Sequence, residues 1–211
     1  EYFLPPLLRL IKKECREPVA TKDTELVHSL LKLLNSHLAD FKDEEAAKTI
    51  GAGDVVKRID GGFLYSLVWS VGCTTDEQGR IKFNDRLREM INAEDCPKLT
   101  APIPEKATVY DFSWEVNKCK WLGWLETIPA FQIPATAKPQ DILVPTIDTV
   151  RYGYMLETQL RNGYAVLFCG DTGTGKSVMV KERLMKGMGD KFLSHFINFS
   201  ANSKANQTQD I

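Results

Sequence analysis

Apolar positions recur at helical spacing along the first half of the chain, and short polar or proline-bearing breaks divide them into segments. Phe3, Leu4, Leu7, Leu8, Leu10 and Ile11 form the first group, with Pro5 and Pro6 suited to a helix's first turn and Pro18 ending the segment. The cleanest pattern follows: Val27, Leu30, Leu31, Leu34 and Leu38 recur at i, i+3, i+4, i+7 and i+11 behind a cap at Asp23 or Thr24. Asp43-Glu44-Glu45 opens a weaker stretch, loosened by Gly51 and Gly53. From Asp54 to Val71 the apolar residues are dense (Val55, Val56, Ile59, Phe63, Leu64, Leu67, Val68, Val71). That density predicts a buried helix, which Gly61-Gly62 either bends or packs closely. Phe83, Leu87, Met90 and Ile91 share one face of a further helix over Arg80–Asn92. Residues 1–92 therefore read as mostly helical.

The pattern then changes. Residues 95–106 carry Pro97, Pro102 and Pro104, a linker-like composition. Thr108-Val109-Tyr110-Asp111-Phe112 alternates as a half-buried strand does, and Lys120–Trp124 returns as its hairpin partner after a turn at Asn117-Lys118. Trp114, Trp121 and Trp124 gather in this hairpin. With no basic surround, cross-strand packing explains them better than base stacking. Pro129, Pro134, Pro139 and Pro145 punctuate a loop-rich crossing that contains the short apolar run Ile142-Leu143-Val144. Thr146 is a fitting N-cap for a helix from Ile147 to about Arg161, with Val150, Tyr154, Leu156 and Leu160 among its apolar positions and Gly163 as its stop. Tyr164–Cys169 reads as a buried strand, Lys176 to about Met188 as a helix, and Phe192–Phe199 as a second core strand. The polar run from Ser200 opens a further helix. Three divisions follow: a helical part at 1–92, a linker with a hairpin at 93–140, and an α/β part at 141–211 with an incomplete parallel sheet.

The chemistry sits at the junction of the last strand and helix. Gly170-Asp171-Thr172-Gly173-Thr174-Gly175-Lys176-Ser177 fits the phosphate-loop spacing G-x-x-x-x-G-K-[ST], with an apolar run before it and an amphipathic one after it. Glycines let the backbone take positive φ and come close to a ligand. Successive N–H groups then form a concavity for anions, and the following helix adds the positive end of its dipole. In that arrangement Lys176 reaches the β- and γ-phosphates, and the Ser177 hydroxyl binds Mg²⁺. A glycine-rich turn that binds nothing is the bland alternative, and the context on both sides weighs against it. ATP or ADP with Mg²⁺ is the expected ligand. Hydrolysis needs, in addition, an acid that helps hold Mg²⁺ and a group that orients water. The apolar run after Ser177, around Phe196-Ile197-Asn198-Phe199, ends in Ser200 and supplies no such acid. No arginine finger is assignable either, so hydrolysis by this stretch alone is not expected.

Composition narrows the field without redirecting it. Among 211 residues, 27 Lys and Arg face 28 Asp and Glu, and a net charge of −1 gives no electrostatic footprint for nucleic acid. No apolar run approaches the ~20 residues that cross a membrane. The chain starts Glu1-Tyr2-Phe3 without Met and reads as excised from something longer. Cys15, Cys73, Cys96, Cys119 and Cys169 make no CxxC pair and read as reduced thiols, and His28, His37 and His195 lie too far apart for a metal site.

Several stretches together carry a family resemblance. Asp141-Ile142-Leu143-Val144-Pro145-Thr146-Ile147-Asp148-Thr149-Val150-Arg151-Tyr152, Gly170 through Val178, Asn198-Phe199-Ser200-Ala201 and Gln207-Thr208-Gln209-Asp210 closely resemble dynein heavy chains at the opening of the third AAA+ module of the motor ring. Phe63-Leu64-Tyr65-Ser66-Leu67-Val68-Trp69-Ser70-Val71-Gly72 resembles the helix leading out of the second module, and Trp121–Pro129 the lead-in to the third. The flavour is axonemal rather than cytoplasmic. The resemblance implies part of a P-loop NTPase of the AAA+ type, with residues 1–92 as the helical small subdomain of the second module and the third module's large subdomain following. It implies that Leu143, Val144, Pro145 and Thr146 lie near adenine, and that Gly170, Asp171, Thr172, Gly173, Thr174, Gly175, Lys176, Ser177 and Val178 wrap the phosphates. The third module regulates microtubule release across the family, so the implied role is a regulatory ATP site of a ciliary or flagellar motor. The implied partners are the rest of the ring, microtubules through other parts of the parent chain, and dynein intermediate and light chains. Asp171 stands where this module commonly has Pro, and its carboxylate adds repulsion toward phosphate, screened where it faces solvent. The competing reading is a structural ring module or nucleotide-binding adaptor without hydrolysis.

Overall fold

The computed structural model describes residues 1–129, 144–189 and 192–209. They form two compact units, Glu1–Thr174 and Gly175–Ile211. Ile142 and Leu143, with Pro134 and Pro139 of the proline-punctuated crossing, lie outside the described residues.

The first unit opens with helix α1 (Leu4–Glu14), which carries Pro at its first positions, where their missing N–H groups leave nothing unpaired. Helix α2 (Asp23–His37) starts one residue after Lys22, whose N–H donates to the Glu25 carboxylate at 2.8 Å. A short helix α3 (Glu44–Lys48) is capped by Asp43, which accepts from the N–H groups of Glu45 and Ala46. Helix α4 (Ala52–Ser70) and helix α5 (Glu77–Asn92) complete the helical region, the latter capped by Asp76 accepting from Gly79 N–H at 2.9 Å.

Helix α4 is the central element. Every residue from Leu64 to Ser70 is buried, and so are Gly61 and Gly62. Ser66 and Ser70 satisfy their hydroxyls on the helix itself, donating to the carbonyls of Gly62 and Ser66. Gly61 explains the double glycine: a Cβ there would lie 2.3 Å from the Trp114 ring, so the position serves close packing. Helix α2 lies against α4, yet the buried face of α2 is Leu26, Leu30, Leu33 and His37. Of the stripe Val27, Leu30, Leu31, Leu34 and Leu38, Leu30 alone is on that buried face, and Leu31 is 53% exposed. Apolar residues run along two adjacent faces of this helix, so the sequence pattern is ambiguous. The helix turns to lay His37 on Tyr65, ring centroids 4.6 Å apart.

The proline-bearing stretch is tied down. Ala101 and Ile103 are buried, the Trp121 indole N–H donates to Ala101 O at 3.0 Å, and Asp60 accepts from Thr100 N–H at 2.7 Å. The hairpin forms from β1 (Phe112–Glu115) and β2 (Lys120–Gly123), antiparallel, with Trp114 opposite Trp121 and their ring centroids 5.1 Å apart. Cross-strand packing thus accounts for this tryptophan pair. The first strand does not start at Thr108. Asp111 accepts from Thr108 N–H and hydroxyl at 2.9 and 2.6 Å, which closes a turn, while Val109 and Tyr110 are buried in the helical core. The hairpin turn's left-handed residue is Cys119, φ 48°.

Helix α6 (Ile147–Arg161) follows, with Thr146 and Thr149 exchanging hydrogen bonds at its start and Gly163, φ 74°, after its end. The strand read at Tyr164–Cys169 is not paired. Its residues alternate, with Tyr164, Val166 and Phe168 half-buried and Ala165, Leu167 and Cys169 exposed, but β1–β2 is the only ladder among the described residues. In the second unit, helix α7 (Lys176–Glu182) runs into one wide π-turn, Arg183–Gly187, close to the stop read at Met188. The strand read at Phe192–Phe199 is likewise absent, its residues lying exposed, and a short helix α8 (Ala205–Gln209) follows. Both segments have strand composition without a neighbouring strand, among the described residues, to pair with their N–H and C=O groups, and a strand is defined by that neighbour. No described helix is long and apolar enough to cross a membrane.

Candidate functional site

The loop from Gly170 to Ser177 has the backbone its composition calls for. Gly173 and Gly175 sit in the left-handed region, φ 83° and 81°, where a side chain would be strained. A Cβ built on either would meet nothing within 4 Å, so it is backbone conformation and not crowding that requires glycine there. Thr174 Oγ donates to Asp171 O at 3.0 Å and closes the turn between the glycines. Gly175 is the N-cap residue of α7, and its carbonyl accepts from Met179 N–H at 3.0 Å, the first helical bond. The N–H groups of Lys176, Ser177 and Val178 precede that bond in the first turn, where a helix presents its donors outward.

Asp171, Thr172, Gly173, Thr174, Gly175, Ser177 and Val178 are exposed, as is Gly170, while Lys176 is half-buried. The donor set fits a polyphosphate: flexible glycine backbone, one ammonium and one hydroxyl on consecutive residues at a helix start. Asp171 is open to solvent, where its charge is screened. Of the residues read as lying near adenine, Leu143 is outside the described residues. Val144 is 58% exposed, Pro145 half-buried, and Thr146 is engaged as the cap of α6.

The segment feeding the loop is fixed by its half-buried face. Asn35 donates its amide N–H to the Tyr164 hydroxyl, the Lys32 ammonium lies 5.7 Å from the centre of the Tyr164 ring, and Phe168 meets Tyr152 edge-on at 6.3 Å. Sequence reasoning finds the loop and misses these supports, because Asn35, Lys32 and Tyr152 carry no phosphate-loop signature. Only their contacts across the fold single them out.

Comparison with known proteins gives this geometry a context. Residues 1–126 match the family model described as the dynein heavy chain AAA lid domain, and residues 131–211 match the P-loop containing dynein motor region. The chain belongs to the dynein heavy chain family. It is 33% identical to dynein axonemal heavy chain 1 of Homo sapiens over 99% of this chain and 5% of that protein. It is 39% identical to dynein axonemal heavy chain 12 of Mus musculus over 71% of this chain and 5% of that protein. Dynein axonemal heavy chain 3 of Mus musculus is 33% identical over 100% of this chain and 6% of its own length. The dynein chain described here thus spans 5–6% of the length of the curated relatives it matches. Within it, the helical region is of the AAA lid type, the part from 131 onward is of the P-loop AAA type, and nucleotide is the ligand class that a P-loop region implies.

Proposed function

We propose that this chain is the nucleotide-binding segment of a microtubule-based motor heavy chain, taking ATP or ADP with Mg²⁺ at Gly170–Val178 and regulating the motor's cycle. The observation that carries the reading is the pair of left-handed glycines, Gly173 and Gly175, set directly before the first turn of α7 within a complete phosphate-loop sequence. When bound, the nucleotide supplies the charge and Mg²⁺ that order the loop. Backbone N–H groups of Gly173 through Val178 hold phosphate oxygens, Lys176 neutralises charge on them, and the Ser177 hydroxyl is a ligand for Mg²⁺. Val144, Pro145 and Thr146, with Leu143, border the adenine. Residues 1–92 act as the small subdomain of a preceding AAA+ module, 93–140 as the connection, and 141–211 as the start of the next module's large subdomain. The partners are the rest of the motor ring, microtubules through other parts of the parent chain, and dynein intermediate and light chains. Similarity to axonemal heavy chains supports the axoneme of a cilium or flagellum as the location.

The test is a titration with a fluorescent ATP analogue in the presence of Mg²⁺. The unaltered chain saturates, and Lys176→Ala binds at least about tenfold more weakly, a change of roughly 1.4 kcal/mol. Equal affinities of the two proteins would overturn the assignment.

A further inference from the structure

We infer that Tyr152 is a positioning residue for the phosphate loop, holding Phe168 in place while Arg80 of the helical region holds Tyr152. The inference rests on the nucleotide-binding reading above. It concerns three residues of the first unit that lie far apart in sequence. Arg80, on α5, donates from one guanidinium nitrogen to the Tyr152 hydroxyl at 3.0 Å and from the other to Cys73 O at 3.3 Å. Arg151 donates to the same hydroxyl at 3.4 Å, and its guanidinium lies over the Tyr152 ring at 5.0 Å. One phenol oxygen therefore accepts from two arginines. The ring it carries meets Trp69 edge-on at 6.2 Å and Phe168 at 6.3 Å. Phe168 is two residues before Gly170, where the loop begins.

The energetics give this arrangement direction. Arg80 is half-buried, and among the described residues no carboxylate forms an ion pair with it. Its Nε is buried without a hydrogen-bond partner among the described residues. A guanidinium so placed is held by the hydroxyl, the carbonyl and the face of Tyr110, 5.5 Å away, which tie it to α6, to the turn after α4 and to the buried segment before the hairpin. Phe168 has no strand ladder to hold it among the described residues, and its ring contact with Tyr152 supports the loop entry at its C-terminal end, as Asn35 and Lys32 support it at Tyr164. A movement of α5 is thus transmitted through a hydrogen bond and a ring contact to the backbone before Gly170.

The experiment is hydrogen exchange by mass spectrometry on the full parent chain, with and without Mg-ATP, reading peptides within 164–178 against peptides of α2 and α4. Phe168→Ala and Tyr152→Phe are expected to speed exchange of 166–172 without nucleotide while α2 and α4 keep their protection. Both raise the ATP concentration needed to protect the loop, Tyr152→Phe by at least about fivefold, since its hydroxyl accepts from Arg80 and, at longer distance, from Arg151. Phe168→Tyr, which keeps the ring, restores the behaviour of the unaltered chain. Adding Arg80→Gln to Tyr152→Phe produces no further loss of loop protection, because the two act through one bond. Loop exchange unchanged in Tyr152→Phe and Phe168→Ala overturns the inference, as does protection lost equally in α2 and α4, which marks a purely structural role. Should Mg-ATP protect nothing even in the unaltered chain, the nucleotide-binding reading fails, and the nucleotide-free exchange still decides whether Tyr152 positions the loop entry.

Discussion

The helical region and the segments around the phosphate loop are built from similar residues and stabilised very differently. The hydrophobic core cluster runs from Phe3 to Trp124 and includes fully buried Leu7, Ile11, Tyr65, Phe83 and Leu87. From residue 144 onward, the buried apolar residues among those described are Leu156, Met179 and Met188, while Leu167 and Phe199 are 79% and 67% exposed. Helices close their own backbone hydrogen bonds and need only one apolar face covered. Strands need neighbours for both backbone and faces. A region of helices is therefore complete with its own residues, and a region of strand segments is complete only with partners. The glycine loop is a third case, shaped by backbone conformations that glycine alone takes without strain.

That contrast can be broken most severely in the core that the helices share with the hairpin. Trp114→Ala removes a buried ring that fills the space over Gly61, and a loss of about 4 kcal/mol in urea unfolding followed by circular dichroism is expected. A loss below ~1 kcal/mol would mean that the region is not a packed core. Acid is the next test. Burial holds the His37 imidazole down to about 4, from an ordinary value of 6.5, and its Nε2 has no hydrogen-bond partner among the described residues. The unfolded chain therefore binds the proton first, and stability falls as pH drops from about 6.5 toward 4, by roughly 3 kcal/mol in full. Tryptophan fluorescence reads this directly, since all four tryptophans lie between Trp69 and Trp124. His37→Phe should flatten the profile in that window, and an unaltered profile would assign the effect to other groups.

In the loop the expected effects are on binding. Lys176→Ala lowers nucleotide affinity at least about tenfold and leaves the unfolding midpoint nearly where it was, because Lys176 lies outside the hydrophobic core cluster. A shifted midpoint would make Lys176 part of the packing. Smallest of all is Leu167→Ser, expected within about 0.5 kcal/mol of the unaltered chain because the side chain is already exposed. A large loss there would show that Leu167 is covered in solution.

The same contrast explains which parts of the fold are legible in the sequence. The Thr146 cap and the Gly163 stop follow from local rules, and the structure has them where those rules put them, whereas α2 is capped by Lys22 and not by Asp23 or Thr24. The choice between two leucine faces on α2 is not local. It depends on His37 meeting Tyr65 of α4, a contact invisible in the pattern. The hairpin's first strand starts at Phe112 rather than Thr108 because Asp111 and Thr108 close a turn that strand alternation alone does not reveal. At Tyr164–Cys169 the alternation is real, and it marks a half-buried face and an exposed one without the ladder. The loop is readable because its chemistry is written in consecutive residues. Its support is spread along the chain from Arg80 through Tyr152 to Phe168, and no motif joins the three.

The most direct measurement is hydrogen exchange of the chain with and without Mg-ATP, read in one experiment for α4 and for residues 166–182. The account predicts slow exchange in α4 under both conditions, and fast exchange around the loop that nucleotide slows in the unaltered chain and not in Lys176→Ala. Loop exchange that ignores nucleotide, or that responds equally in Lys176→Ala, would contradict it.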